Sequence, residues 1–139
     1  DWSPGTPSPL NLPLARHVAA GGYVTLHVRH RDSDRFMFPV AVDDVGDRRD
    51  YIRERFGDPA NDRHRCADLT FLLDSLERWN RDGPCAGLFD LSRVGVCGHS
   101  FGAETALTLA GLRRPSGFEP SADPRVRAAI AYSNRVQAG

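Results

Sequence analysis

The segment "RVGVCGHSFGAETALTLAG", residues 93–111, decides the predicted fold. It begins with a short β-branched run and continues into helix-forming residues, with Ser100 two positions from both Gly98 and Gly102. A strand that turns into a helix at one residue forces that residue into a strained backbone conformation. Glycine at 98 and 102 is expected to remove the side-chain collisions at such a bend. The segment therefore predicts a strand, a sharp turn at Ser100 and a helix that ends near Gly111.

The predicted bend suggests a chemical role for Ser100. It exposes the hydroxyl at the carboxyl edge of the sheet, at the start of a helix whose free N–H groups stabilise negative charge. The backbone N–H of Phe101 would then point at an oxyanion formed on an attacked carbonyl. This placement is typical of a nucleophile, and the alternative is a structural serine in a tight strand-to-helix turn.

Helices and strands alternate along the rest of the chain. A helix is predicted over about residues 10–20, and the Gly21–Gly22 pair ends it. The β-branched and aromatic run at Tyr23–Arg29 predicts a strand directly after that pair. Val126–Tyr132 predicts the last strand. A helix that passes directly into a strand is the building unit of a parallel sheet, so the predicted fold class is α/β, a mostly parallel sheet flanked by helices.

Two further helices are predicted in the middle of the chain. The charged segment at about residues 43–57 has a thin apolar stripe and predicts a surface helix. The second helix is longer, and Asn61 or Asp62 is expected to cap it. Its apolar side chains recur at helical spacing: Cys66, Leu69, Leu72, Leu73, Leu76 and Trp79. This helix is expected to pack behind the sheet.

Composition excludes several classes of function. The 139 residues include 18 basic and 18 acidic side chains, so the formal net charge is zero. A balanced charge offers no electrostatic surface to nucleic acid or to an anionic membrane. No apolar stretch approaches the length that spans a bilayer, so a soluble protein is expected, in a compartment and an oligomeric state that stay open.

The cysteines favour no metal site. Cys66, Cys85 and Cys97 are an odd set without a CxxC pair or histidines at ligand spacing. One disulfide among the three stays open. Cys66 and Cys97 lie in apolar runs and are expected to behave as small core residues.

The residues around Ser100 resemble the nucleophile elbow of α/β-hydrolases. The likeness is to the branch that holds dienelactone-hydrolase-like proteins, platelet-activating-factor acetylhydrolases and related bacterial esterases. It extends to "LARHVAAGGYVTLHVRHRDSD", "RCADLTFLLDSL" and "DPRVRAAIAYS". The resemblance implies one partial α/β-hydrolase domain over residues 1–139, which lacks the first strands and the C-terminal part. The family more usually has a glycine before the serine of the loop 31–34, so that loop is expected to bend differently.

The resemblance also implies roles for individual residues. Ser100 would be the nucleophile of a hydrolase that cleaves small-molecule carboxylic esters, and Phe101 would donate an oxyanion N–H. His99 would lie in the elbow with its side chain directed away from the hydroxyl. His30 corresponds to a family histidine that shapes the pocket, and Trp2 or a neighbour is the candidate for a second oxyanion N–H. No metal and no organic cofactor is implied.

The catalytic triad is incomplete in these 139 residues. The family's acid and histidine follow the nucleophile, and no histidine follows His99. We therefore expect an internal piece of a longer hydrolase, with the triad Asp and His outside this chain and no esterase turnover by the piece alone. Asp123 is expected to be a turn residue at the amino end of the last strand. The alternatives are a non-catalytic ligand-binding module, an inactive fragment and a thioesterase.

Overall fold

The described part of the chain is a mixed α/β structure. The computed structural model describes residues 12–33, 58–112 and 122–132. These residues form three α-helices, a 3₁₀ turn at Arg31–Ser33 and a two-stranded parallel sheet. The elements are α1 (Leu12–Ala20), α2 (Pro59–Asp82), β1 (Val94–His99), α3 (Phe101–Leu109) and β2 (Val126–Tyr132).

Helix α1 confirms the first predicted helix. It ends at Ala20, where the N–H of Gly21 donates to the Val18 carbonyl at 3.0 Å. Gly22 then takes a positive φ of 87°, which glycine adopts without a steric penalty. The glycine pair therefore ends the helix as predicted.

Residues 23–30 differ from the prediction, because they do not form a strand. Tyr23, Val24 and Leu26 are exposed. A strand requires a hydrogen-bonded neighbour, and the sheet of the described residues consists of β1 and β2. The strand predicted at Tyr23–Arg29 is therefore wrong for the described structure, since a β-rich composition does not by itself supply a pairing partner.

Helix α2 begins earlier than predicted. Asp58 is its N-cap, and the Asp58 carboxylate accepts a hydrogen bond from the Ala60 N–H at 2.8 Å. Pro59 follows at the first helical position, where its fixed φ fits and its missing N–H is not needed. The predicted cap at Asn61 or Asp62 is therefore wrong, since both residues lie within the first turn.

Fewer residues of the predicted apolar face of α2 are buried than its sequence suggests. Cys66, Leu73 and Leu76 are buried, whereas Trp79 near the end of the helix is exposed. The helix stops at Gly83, whose N–H donates to the Trp79 carbonyl at 3.0 Å. A Cβ at residue 83 would lie 2.6 Å from the Trp79 Cα, so this close approach requires glycine.

Strands β1 and β2 are parallel, and α3 covers one face of both. Val96 lies beside Ala129, and His99 lies beside Tyr132. Half-buried and exposed residues alternate along β1, so Cys97 lies on the exposed side of the strand. Cys66 is buried as predicted, but the prediction of a core position for Cys97 is wrong, because Cys97 faces away from α3. Cys66, Cys85 and Cys97 are all free thiols.

An ion-pair cluster joins the start of β2 to α2. Asp123 lies in the turn before β2, as predicted, and is buried. The Arg125 guanidinium donates to both Asp123 carboxylate oxygens, at 2.8 and 2.6 Å, and this holds the pKa of Asp123 below its usual range. The same guanidinium lies 2.8 Å from an oxygen of Asp74 and 3.1 Å from one of Glu77. The hydrogen bonds to Asp123, and after them those to Asp74 and Glu77, hold the pKa of Arg125 above its usual range.

Two predicted features lie outside the described residues. They are the surface helix at about residues 43–57 and the candidate oxyanion residue Trp2. Within residues 12–33, 58–112 and 122–132, no helix combines the length and the apolar character that crossing a bilayer requires.

Candidate functional site

Ser100 joins the sheet to helix α3 through a strained backbone. Its φ is 53° and its ψ is −119°, and among the described residues it is the one non-glycine residue with a positive φ. Its N–H donates to the Tyr132 carbonyl at 3.2 Å, which continues the pairing of β1 with β2. Its carbonyl accepts from the Ala103 N–H at 2.9 Å, which begins the helix. The bend predicted at Ser100 is therefore present and is confined to one residue.

Gly98 is required at this bend by close packing against the first turn of α3. A Cβ at residue 98 would lie 2.1 Å from the Gly102 carbonyl oxygen and 2.7 Å from the Ala103 nitrogen. A Cβ at residue 102 would meet no described atom within 4 Å. The expectation that glycine removes a collision is therefore confirmed for Gly98 and wrong for Gly102, since the crowding involves the Gly102 backbone and not its side-chain position.

The side chain of Ser100 is exposed and does not cap the helix. Serine at an N-cap usually accepts a hydrogen bond from an N–H of the first turn, but Ser100 makes no such bond. Phe101 follows at the first helical position, where backbone N–H groups point beyond the start of the helix. A hydroxyl and the positive end of a helix dipole therefore lie next to each other.

The ring of Phe101 lies beneath a buried cation. The Cζ atom of Arg65 is 4.2 Å from the ring centroid, and the Arg65 Nε donates to Oδ2 of Asp32 at 2.7 Å. The Arg65 and Asp32 side chains are 6% and 9% exposed. The guanidinium therefore lies between a carboxylate of the 3₁₀ turn and an aromatic ring of α3.

Arg65 was not predicted as a site residue from the sequence. One signal was available, because Arg65 lies four residues before Leu69 and so continues the apolar face of α2 toward its start. A charged residue on that face requires a buried partner, which the sequence pattern does not name.

Buried His30 forms a second pair, with the exposed residue Asp68. Its Nδ1 lies 2.8 Å from Oδ2 of Asp68. Burial lowers the pKa of His30 below its ordinary value of 6.5, and the hydrogen bond to Asp68 opposes part of that effect. A neutral imidazole that donates from Nδ1 keeps Nε2 as an acceptor. Asp68 lies three residues after Arg65, so adjacent positions on α2 hold both pairs.

An open depression of about 640 Å³ lies beside His30. It is lined by residues 26–31 together with Asp68, Phe71 and Leu72. Ser100 does not line it, and no hydrogen bond between described residues joins His30 to Ser100. The predicted role of His30 in a pocket beside Ser100 therefore stays a prediction.

None of the other histidines is hydrogen-bonded to Ser100 in the described structure. The His99 ring is 5.2 Å from the Tyr132 ring, with the ring planes 39° apart. His17, His27 and His64 are exposed, His17 on α1 and His64 on α2. The sequence assigned roles to several residues. The structure brings five of them together at the junction of β1 and α3, namely Gly98, His99, Ser100, Phe101 and Gly102.

The chain was compared with known proteins. No family model, no curated protein and no solved structure matches it. Its function is therefore inferred from the geometry at Ser100 and from the residues around it.

Proposed function

We propose that this chain is part of a serine hydrolase of the α/β-hydrolase type that cleaves carboxylic esters through Ser100. The observation that carries the proposal is the positive φ of Ser100 at the junction of β1 and α3, with an exposed side chain. Such a conformation destabilises a non-glycine residue by about 1–3 kcal/mol. The hydroxyl makes no capping bond in return. A role in chemistry accounts for a serine at this position.

In the proposed reaction, the Ser100 oxygen attacks the carbonyl carbon of the ester while a base takes the hydroxyl proton. The carbonyl oxygen becomes an oxyanion, which the N–H of Phe101 and the start of α3 stabilise. The bond to the alcohol oxygen then breaks, and the alcohol leaves with a proton. Water hydrolyses the acyl-enzyme and restores the hydroxyl.

The base and its orienting acid are proposed to lie outside these residues. The chain has five histidines, and none is hydrogen-bonded to Ser100 in the described structure. Further strands are proposed to complete the sheet of the hydrolase fold on both sides of β1 and β2. Trp2 or a neighbour stays the candidate for the second oxyanion N–H.

Labelling with a fluorophosphonate probe tests this proposal on the full-length protein that carries these residues. We expect one label, located on Ser100 by mass spectrometry. Ser100→Ala should abolish the label while circular dichroism shows a folded protein. Ser92→Ala is the matched control, because Ser92 is also exposed but donates its hydroxyl to Asp90 in a turn. A folded full-length protein without label would contradict the proposal.

The 139 residues by themselves are expected to be inactive. Without a histidine beside Ser100 the hydroxyl stays protonated and is a weak nucleophile. We expect no turnover of p-nitrophenyl acetate above background. Turnover that disappears in Ser100→Ala would show that the base lies within this chain.

A second candidate function is a non-catalytic module that binds a small ligand. The depression beside His30, separate from Ser100, favours it. The fluorophosphonate experiment separates the two candidates, since a binding module takes no label. A thioesterase would label in the same way and differs in the acyl donor that it accepts.

A further inference from the structure

We propose that Arg65 is a positioning residue that fixes Phe101, and with it the oxyanion N–H beside Ser100. This inference rests on the proposed function. It concerns the Arg65 side chain of α2, which contacts two distant parts of the chain, the 3₁₀ turn at Arg31–Ser33 and helix α3.

The contact between Arg65 and Phe101 is close and shielded from solvent. The guanidinium carbon lies 4.2 Å from the ring centroid, and the two residues are 5% and 7% exposed. A cation over an aromatic face is held more strongly when water is excluded from both. The ring of Phe101 is therefore fixed beneath the guanidinium.

Asp32 holds the other side of the guanidinium. Its Oδ2 accepts from the Arg65 Nε at 2.7 Å, whereas its Oδ1 is buried and has no hydrogen-bond partner in the described structure. The bound oxygen of this carboxylate is therefore directed at Arg65. The 3₁₀ turn in this way sets where the guanidinium lies over the ring.

The effect on the oxyanion follows from the covalent structure of Phe101. The ring and the N–H belong to the same residue, which is the first of α3 and directly follows the strained Ser100. A ring that is free to move lets the first turn of α3 shift, and the N–H shifts with it. Stabilisation of an oxyanion depends on a donor that is already in place, so a small shift lowers the rate of attack.

Four variants of the full-length protein test the inference through fluorophosphonate labelling. For each variant, the labelling rate is measured at increasing probe concentrations. The fit gives the maximal labelling rate and, as a separate quantity, the probe concentration at which half of that rate is reached. We expect Arg65→Met and Phe101→Leu each to lower the maximal rate about tenfold, with the half-saturating concentration unchanged. Because both act through one contact, the double variant should also lose about tenfold, not a hundredfold. Arg65→Lys keeps a cation over the ring and should recover most of the rate.

Arg78→Met is the matched control. Arg78 is also on α2 and its Cζ lies 6.0 Å from the ring centroid of Phe71, but both residues are exposed and away from the elbow. We expect a labelling rate equal to that of the wild type. Circular dichroism and thermal melting check that each variant folds. If Arg65→Met unfolds because Asp32 is left buried without its donor, Phe101→Leu and Arg65→Lys carry the test.

The outcomes separate this inference from the function on which it rests. Wild-type labelling at Ser100 with an unchanged rate in folded Arg65→Met overturns the role of Arg65 alone. A hundredfold loss in the double variant does the same, since it shows that the two side chains act independently. If Arg65→Met does not fold, an unchanged rate in Phe101→Leu overturns it. A wild-type protein that takes no label at Ser100 overturns the proposed function and the role of Arg65 together.

Discussion

The two ends of the parallel sheet differ in how their residues affect stability. At the amino end of β2, buried Asp123 accepts hydrogen bonds at both carboxylate oxygens from Arg125. At the carboxyl end of β1, Ser100 has a strained φ and its hydroxyl does not cap α3. The polar groups of the amino end are satisfied by hydrogen bonds and ion pairs, whereas the carboxyl end carries a conformation that destabilises the fold. This difference indicates that the candidate functional site lies at the carboxyl end of β1.

The largest expected effect is at the carboxyl end, in Gly98→Ala. Its Cβ would lie 2.1 Å from the Gly102 carbonyl oxygen, so the start of α3 must move. We expect the free energy of unfolding to fall by at least about 3 kcal/mol in urea denaturation. Gly102→Ala is the matched control and should gain about 0.5–1 kcal/mol, because alanine favours a helix and its Cβ would meet no atom of the described residues within 4 Å. Equal losses in both variants would contradict the bend as described.

The next effect tests the amino end through Arg125→Met. The variant leaves the Asp123 carboxylate, 4% exposed, without its cationic partner. We expect a loss of about 2 kcal/mol in the same denaturation experiment. The control is Arg81→Met, because Arg81 and Asp82 form a pair with side chains 68% and 74% exposed. That variant should leave the stability close to that of the wild type, because solvent screens an exposed pair. A comparable loss in both would show that burial at the amino end is unimportant.

A smaller effect of opposite sign is expected for Ser100→Gly. Glycine adopts a φ of 53° without strain, but its greater freedom in the unfolded chain offsets part of that gain. The variant should therefore gain a net 0.5–1 kcal/mol, roughly, while it loses the fluorophosphonate label. Ser92→Gly, at a position without a positive φ, should gain nothing. A Ser100→Gly protein that is less stable than the wild type would show that the serine side chain contributes to the fold after all.

The smallest effect is a pH dependence at His30. Burial holds the pKa of His30 below 6.5, so between the two values the unfolded chain binds a proton that the folded chain does not. The free energy of unfolding should therefore fall as the pH is lowered from 6.5. His30→Gln should flatten this slope in urea titrations between pH 7 and pH 5. A slope that His30→Gln leaves unchanged would assign the pH dependence to other groups.

Several elements were predictable because their signals are local. The helix at 12–20 ends at a glycine pair, β2 was predicted with its observed bounds, and the pattern around Ser100 predicted both the strand before the bend and the helix after it. The need for glycine at position 98 was also visible, since a tight bend brings neighbouring residues together.

Three other predictions were wrong, two because they depend on distant partners and one because a neighbouring signal was overlooked. Tyr23–Arg29 has the composition of a strand, but composition supplies no paired neighbour. The cap of α2 was placed at Asn61 or Asp62, and the preceding Asp58–Pro59 pair fits the start of the helix better. Cys97 lies on the exposed side of β1, which depends on the face that α3 covers.

The sequence by itself determined the bend at Ser100, because backbone strain and close approach act between residues within about five positions of each other. Tertiary structure alone decided that Arg65 lies over Phe101 and that Asp32 holds it, as it decided the pairing of His30 with Asp68. Those contacts join positions more than thirty residues apart. The contacts of Arg65 exist because a buried charge requires a partner, and packing selects which of the many charged residues provides it.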